Sequence, residues 1–135
     1  MRFSQVDRIR SDGGATYVLA RVWSHRVGDA MSTVIVREVA GLPLVRRACE
    51  MTMHGQESKV SLRSMYRAEH SPIRCRMFWV EMLGIPSFVS VHMVRHKHGV
   101  EHFVQSMRDD LYLDKTTKID RDTPVNHGML INAQA

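Results

Sequence analysis

The chain is organised around residues 85–108, which read IPSFVSVHMVRHKHGVEHFVQSMR. Pro86 suits the first turn of a helix, where its missing backbone N–H costs nothing, and no helix breaker follows until Gly99. We therefore predict a helix over Ser87 to His98. At 3.6 residues per turn one flank of this helix is apolar, while the run Arg95 to Lys97 emerges at its C-terminal end.

The composition is that of a folded domain with a basic surface. Hydrophobic residues make up 44% and charged residues 24% of the 135 positions, which argues against disorder. The length fits one domain, and we divide the chain into an N-terminal extension, residues 1–30, and a main domain, residues 31–135. A net charge of +5 attracts anions, so a phosphorylated small molecule is the expected ligand, with nucleic acid as a less favoured alternative.

The sequence has no segment that approaches the roughly 18 apolar residues of a membrane helix. Its N-terminus also lacks the apolar stretch of a secretory signal. We therefore expect no membrane association and a cytoplasmic location. The two cysteines, Cys49 and Cys75, are too few for a disulfide framework or a zinc ribbon, and we expect two reduced thiols.

Hydrophobic periodicity and chain breakers predict the other elements. Gly13-Gly14 is expected to form a turn, and strands are predicted over residues 15–23, 32–39 and 76–83. The last of these is nearly continuous in apolar residues, so we expect it to be covered on both faces until Gly84 ends it. Helices are predicted from Pro43, over residues 61–69, and from Pro124 to Ala135. The last helix has no cap, which indicates that a longer protein continues beyond it.

Four histidines fall within the organising stretch, at His92, His96, His98 and His102. If the helix runs to His98, His92 and His96 share one face at the i, i+4 spacing that zinc sites use. No Glu lies beside His92 and no cysteine pair is near, so a solvated, charge-rich helix end is favoured and we assign no metal site.

The cations Arg95, Lys97 and Arg108 give a stronger signal than the histidines do. Guanidinium groups form paired hydrogen bonds to phosphate, and a cluster of cations suits an anionic nucleotide. The alternative is a solvated basic face. The sequence contains no glycine-rich phosphate loop and no nucleophile motif, so covalent catalysis by the protein itself is not indicated.

Five segments follow one another in an order that a known enzyme family shares. They are RRACE at 46–50, EHSPIR at 69–74, CRMFWVEM at 75–82, IPSFVSVHMVRHK at 85–97 and SMR at 106–108. Together, over roughly residues 33–108, they resemble the flavin-dependent thymidylate synthases. The Arg-His-Lys run that follows Pro86-x-Phe88 is the most specific part of this resemblance.

The resemblance implies a fold and a reaction. The fold is α+β, with a central antiparallel or mixed sheet and flanking helices. The reaction is the reductive methylation of dUMP, or a related pyrimidine nucleotide, to dTMP, with methylenetetrahydrofolate as carbon donor, NADPH as reductant and FAD as hydride carrier. In such enzymes the flavin does the redox work and the protein positions the reactants. The family is homotetrameric, with its sites between subunits.

The resemblance also implies binding roles for eight residues, and it leaves the catalytic residues unassigned. The residues expected to bind FAD are His70, Ser71, Arg95, His96 and Lys97. Those expected to bind dUMP are His92, Ser106 and Arg108, the last two through its phosphate.

The sequence departs from the family pattern inside these motifs. Lys97 stands at the third position of the Arg-His-Arg motif, where a lysine cannot form the paired bonds of a guanidinium. Val100 stands where the family has a serine, and the family's C-terminal helical part is not among these residues. These departures support an alternative hypothesis: a catalytically inactive nucleotide- or nucleic-acid-binding homologue with the same fold.

Overall fold

The computed structural model describes residues 2–10, 17–27, 30–106 and 120–135, and their side chains from residue 31 onward. It shows an α+β protein built on a six-stranded antiparallel sheet with few helices. The strands are β1 (Arg2–Arg10), β2 (Tyr17–Val27), β3 (Ala30–Ala40), β4 (Met77–Pro86), β5 (Val100–Val104) and β6 (Pro124–Asn132). Their spatial order is β1-β2-β3-β4-β6-β5. The expected Gly13-Gly14 turn lies outside the described residues.

Within the described residues, three short helices and one 3-10 turn accompany the sheet. They are α1 (Leu42–Thr52), α2 (Leu62–Arg67), the 3-10 turn (Ser71–Cys75) and α3 (Ser87–Met93). The helices predicted from Pro43 and over residues 61–69 are confirmed, and the Ser61 hydroxyl caps α2 by accepting a hydrogen bond from the backbone N–H of Ser64 at 3.1 Å. Within the described ranges, no helix has the length and apolar character that crossing a membrane requires.

Two hydrophobic clusters hold these elements together. The larger one lies between the sheet and α3, where Val80 and Met82 of β4 pack with Val89 and Met93 of α3. Val34 and Val36 of β3 also pack against it. The smaller cluster joins α1, α2 and the 3-10 turn through Val45, Cys49, Met65 and Ile73. Both cysteines are free thiols.

The prediction that β4 is covered on both faces is wrong. Its inner face, with Val80 and Met82, is buried, but Leu83 on the outer face is 39% exposed. The antiparallel pairing explains the difference, because an antiparallel sheet needs only one packed face. Gly84 does not end the strand either: it has a φ of +65° at a register shift, and pairing resumes at Ile85.

The predicted helix from Pro124 to Ala135 is also wrong, since this segment forms strand β6. Val125, His127 and Met129 are buried while Pro124 and Asn126 are exposed, a period of two that places one side of the strand in the core. Proline at the first position of a strand is acceptable because the ladder does not need its missing N–H. Pro124 therefore does mark the start of a secondary-structure element, but that element is a strand.

Helix α3 is shorter than predicted and ends at Met93 instead of running to His98. After it the backbone tightens, with the Arg95 N–H donating to the His92 carbonyl and the His96 N–H donating to the Met93 carbonyl, three residues back. The chain then reverses at Gly99, whose φ of +69° directs it into β5. His92 and His96 therefore do not share one helical face.

We predict that Gly99 is required sterically as well as conformationally. A Cβ at Gly99 would lie 2.5 Å from the Asn132 amide nitrogen, whereas a Cβ at Gly55, which has a φ of +82°, meets nothing within 4 Å. Gly55→Ala should therefore lose only the cost of a left-handed alanine, about 1 kcal/mol of unfolding free energy. Gly99→Ala should lose roughly 2–3 kcal/mol in urea unfolding. Equal losses in the two variants would contradict the proposed clash.

Candidate functional site

A cleft of about 670 Å³ opens where the end of α2 and the 3-10 turn meet the end of β6. It is lined by Tyr66, Glu69, Ile73, Arg74, His98, Gly99, Asn132, Ala133 and Gln134. Its volume falls in the range typical of small-molecule sites. We call it the α2–β6 cleft.

One wall of the α2–β6 cleft is shaped by the way α2 ends. The His70 N–H donates to the Met65 carbonyl at 2.9 Å, and the Glu69 N–H donates to the Tyr66 carbonyl at 3.3 Å. This is a Schellman ending, which requires a left-handed residue where glycine is usual. Glu69 occupies that position with a φ of +48°, a strained conformation for a residue with a Cβ. This left-handed conformation redirects the chain from α2 into the 3-10 turn.

Arg76 connects the α2 wall of the cleft to the sheet. Its Nε donates to Glu38 Oε1 on β3 at 2.7 Å, and its Nη1 donates to the Tyr66 hydroxyl at 3.1 Å. The guanidinium also lies over the Phe78 ring, 5.1 Å from its centroid. Because both the carboxylate and the ring belong to the sheet, Tyr66 is held at a fixed place beside the cleft.

The five residues expected to bind flavin lie next to this cleft. His70 and Ser71 are exposed at the start of the 3-10 turn, directly after Glu69. The run Arg95 to Lys97 is exposed directly before His98. None of the five lines the cleft itself, but their sequence neighbours Glu69, Arg74, His98 and Gly99 do.

Two of the three residues expected to bind dUMP lie in the part of the chain that the structure describes. His92 is exposed in the last turn of α3, and Ser106 is exposed two residues beyond β5. Arg108 lies outside the described residues. A search of the described residues finds no group of three or more His, Cys, Asp or Glu side chains that could hold a metal ion.

A hydrogen-bonded chain that is buried at Ser90 and His127 connects α3, β6 and β5. The Ser90 hydroxyl lies 2.8 Å from His127 Nδ1, and His127 Nε2 lies 3.0 Å from His102 Nδ1. His102 Nε2 then lies 2.7 Å from the backbone carbonyl oxygen of His96. Ser90 and His127 are only 2% and 1% exposed, so water does not satisfy these groups.

The carbonyl at the end of this chain fixes the direction of the last bond, and the other two directions follow when His102 Nδ1 carries no proton. A carbonyl only accepts, so His102 Nε2 carries a proton and donates to His96. With both rings neutral, His102 Nδ1 accepts from His127 Nε2–H, and His127 Nδ1 accepts from the Ser90 hydroxyl. We call this hydrogen-bonded series of four residues, Ser90, His127, His102 and His96, the Ser90–His96 chain. It holds the backbone of the turn that carries Arg95 and Lys97.

Burial lowers the pKa of His127, and the neighbouring His102 lowers it further, so this ring is held neutral. A serine bonded to a histidine resembles a nucleophile and its base, but the Ser90 hydroxyl is buried beyond the reach of a substrate. The chain is therefore a positioning device. Sequence reasoning missed Ser90 and His127, for which the only signal was the period of two along β6.

Comparison of the chain with protein-family models, curated proteins and solved structures gave no significant match. The comparisons thus neither support nor oppose the family resemblance. The geometry of the described residues is the basis for assigning a function.

We predict that acid weakens the fold through His127. Because its pKa is lower in the folded state than the ordinary value of 6.5, the unfolded chain binds the proton more tightly. Unfolding free energy should be highest above about pH 6.5 and should fall as the pH drops through the folded-state pKa. Urea unfolding at several pH values measures this.

His127→Gln should be less stable at neutral pH and should lose this part of the pH dependence. His92→Gln, which changes an exposed histidine, is the matched control and should keep it. An unchanged pH dependence in His127→Gln would rule out His127 as its source.

Proposed function

We propose that the α2–β6 cleft binds FAD and that this protein acts in the cytoplasm as a flavin-dependent thymidylate synthase-like enzyme. The observation that carries the proposal is the position of two segments that resemble the family's flavin-binding motifs. Residues 69–74 and 95–97 are distant in sequence, yet residues of the first segment and the pair that follows the second, His98 and Gly99, line one cleft. A shared ligand site explains why the two motifs occur together.

The charges around the cleft suit a phosphorylated cofactor. Arg95 and Lys97 are exposed, and neither makes an ion pair with another residue in the described ranges. Their charges are therefore available to phosphate oxygens. Arg74 adds a third cation on the other side, where its Nε donates to Gln134 Oε1. This donor set suits the pyrophosphate of FAD.

In this proposal the protein binds and orients its ligands. Arg95 and Lys97 neutralise the cofactor phosphates, while His70 and Ser71 offer hydrogen bonds at the rim. The flavin, when bound, would carry hydride from NADPH during methylation of dUMP with methylenetetrahydrofolate. His92, Ser106 and Arg108 are the proposed dUMP contacts. A homotetramer would bring residues of several subunits to each site.

One observation favours the alternative, a homologue that binds nucleotides or nucleic acid without turnover. Val100, at the family's serine position, packs against the core formed by Val80 and Met129. An apolar side chain that packs on the core offers no hydroxyl to a ligand. Formation of dTMP from dUMP with methylenetetrahydrofolate, FAD and NADPH distinguishes the two functions: turnover supports the synthase, whereas FAD binding without turnover supports the alternative.

We predict that FAD binding depends on the cations of the turn after α3. Arg95→Ala and Lys97→Ala should each weaken FAD binding about tenfold, because each removes a charge-assisted bond to phosphate. Changes in flavin fluorescence during titration of the protein measure the affinity. Lys59→Ala removes an exposed lysine of no assigned role and is the matched control.

The proposal also predicts a yellow purified protein or one that becomes yellow with added FAD. It would be refuted by a folded protein that takes up neither FAD nor dUMP. Binding of single-stranded DNA that weakens steeply with salt, with no flavin uptake, would instead indicate a nucleic-acid-binding protein.

A further inference from the structure

The outer face of the sheet, opposite α3, carries a groove of about 530 Å³ that the proposed function does not use. The residues that matter for its chemistry are Trp79, Glu81, Phe103, Gln105, Asn126 and Gly128. Trp79 and Glu81 alternate along β4 with Val80 and Met82 of the core, so their side chains face away from α3. We call this the outer groove.

The floor of the outer groove is aromatic. A Cβ on Gly128 would lie 2.9 Å from two carbon atoms of the Trp79 ring, so this ring lies directly over the glycine backbone. Phe103, from the edge strand β5, is 56% exposed, and its centroid is 5.4 Å from that of Trp79. An indole that rests on a glycine offers its other face to a planar ligand.

The charge in the outer groove is balanced internally. Glu81 Oε1 accepts hydrogen bonds from Trp79 Nε1 at 2.8 Å and from the Arg37 guanidinium. Burial acts to raise the pKa of Glu81, but these two bonds outweigh it and the pKa is lowered, so the carboxylate is ionised at neutral pH. Since Arg37 is already paired with this carboxylate, the groove does not attract phosphate.

The polar atoms that remain form a mixed donor and acceptor set. Glu81 Oε2 has no partner among the described residues and only accepts. Gln105 Oε1 accepts from the Asn126 N–H at 2.9 Å, and Asn126 Oδ1 accepts from the Gly84 N–H at 3.2 Å. Because both amide oxygens are engaged, the two NH₂ groups are left to donate.

We propose that the outer groove binds a neutral purine-type ring, stacked on Trp79, with an N–H or NH₂ group of its edge donating to Glu81 Oε2. The ring acceptors would face the amide NH₂ groups of Gln105 and Asn126. Stacking alone does not select among aromatic ligands, whereas an ionised acceptor selects for rings that carry a donor. This site is separate from the α2–β6 cleft and does not depend on the flavin proposal.

The test uses two purines that differ in their donors. Guanosine carries N–H and NH₂ groups on its base, whereas caffeine has the purine ring with no N–H donor. The chain contains two tryptophans, so Trp23→Phe leaves Trp79 as the only indole reporter. In this background we expect guanosine to quench Trp79 fluorescence and caffeine to bind at least tenfold more weakly.

Glu81→Gln tests the acceptor directly. Its amide oxygen preserves an acceptor for Trp79 Nε1, but an NH₂ group replaces Oε2. Guanosine should then bind about tenfold more weakly, while caffeine binding stays unchanged. An absence of guanosine quenching, or equal affinity for the two purines, would overturn the proposal. So would sedimentation showing a dimer that Trp79→Ala with Phe103→Ala dissociates, because a second copy would then cover the groove.

Discussion

The neutral imidazole of His127 is the constraint on which the arrangement of this protein depends. Buried at the centre of β6, the ring must satisfy both nitrogens within the protein, and it does so with one group from α3 and one from β5. Loss of either partner would leave a buried polar atom unpaired, at a cost of about 1–3 kcal/mol. The Ser90–His96 chain therefore fixes where α3 and the edge strand lie on the sheet. Its far end fixes the backbone of the turn at His96.

Sequence patterns predicted the elements whose signals are local. Val34 and Val36 alternate with Arg37, and Ser61 precedes a helical repeat, so β3 and α2 were predictable. Strand β6 was not, because Pro124 starts a strand or a helix equally well and only long-range pairing with β4 decides between them. The end of α3 was also predicted wrongly, because it too depends on long-range pairing. Pairing of β5 with β6 requires the helix to end before the chain reverses at Gly99, although residues 94–98 contain no helix breaker.

The candidate site was predictable only in part. The order of motifs drew attention to residues 69–74 and 95–97, and the cleft is lined by Glu69, Ile73 and Arg74 of the first segment and by His98 and Gly99, which follow the second. Asn132 and its neighbours at the end of β6, a segment that the sequence had assigned to a helix, also line the cleft. Nothing local marked Ser90, and only the period of two along β6 marked His127 as a buried residue, because a serine on a short helix and a histidine in a strand are ordinary until they meet in space. Their role in positioning α3 and β5 arises because both are buried and bonded to each other.

The distribution of charge separates the two candidate sites. On the outer face the Arg37 charge is held by Glu81, so that face suits a neutral ring. Near the cleft, Arg95 and Lys97 flank a residue whose carbonyl is fixed by His102. A long lysine side chain loses conformational entropy when it binds phosphate, and it makes single rather than paired bonds. A fixed backbone removes part of the ordering cost, since only the side chain remains to be ordered. In the proposed function, the Ser90–His96 chain would lower the entropic cost of phosphate binding by Lys97. This gain would offset part of the affinity lost because a lysine makes single rather than paired bonds.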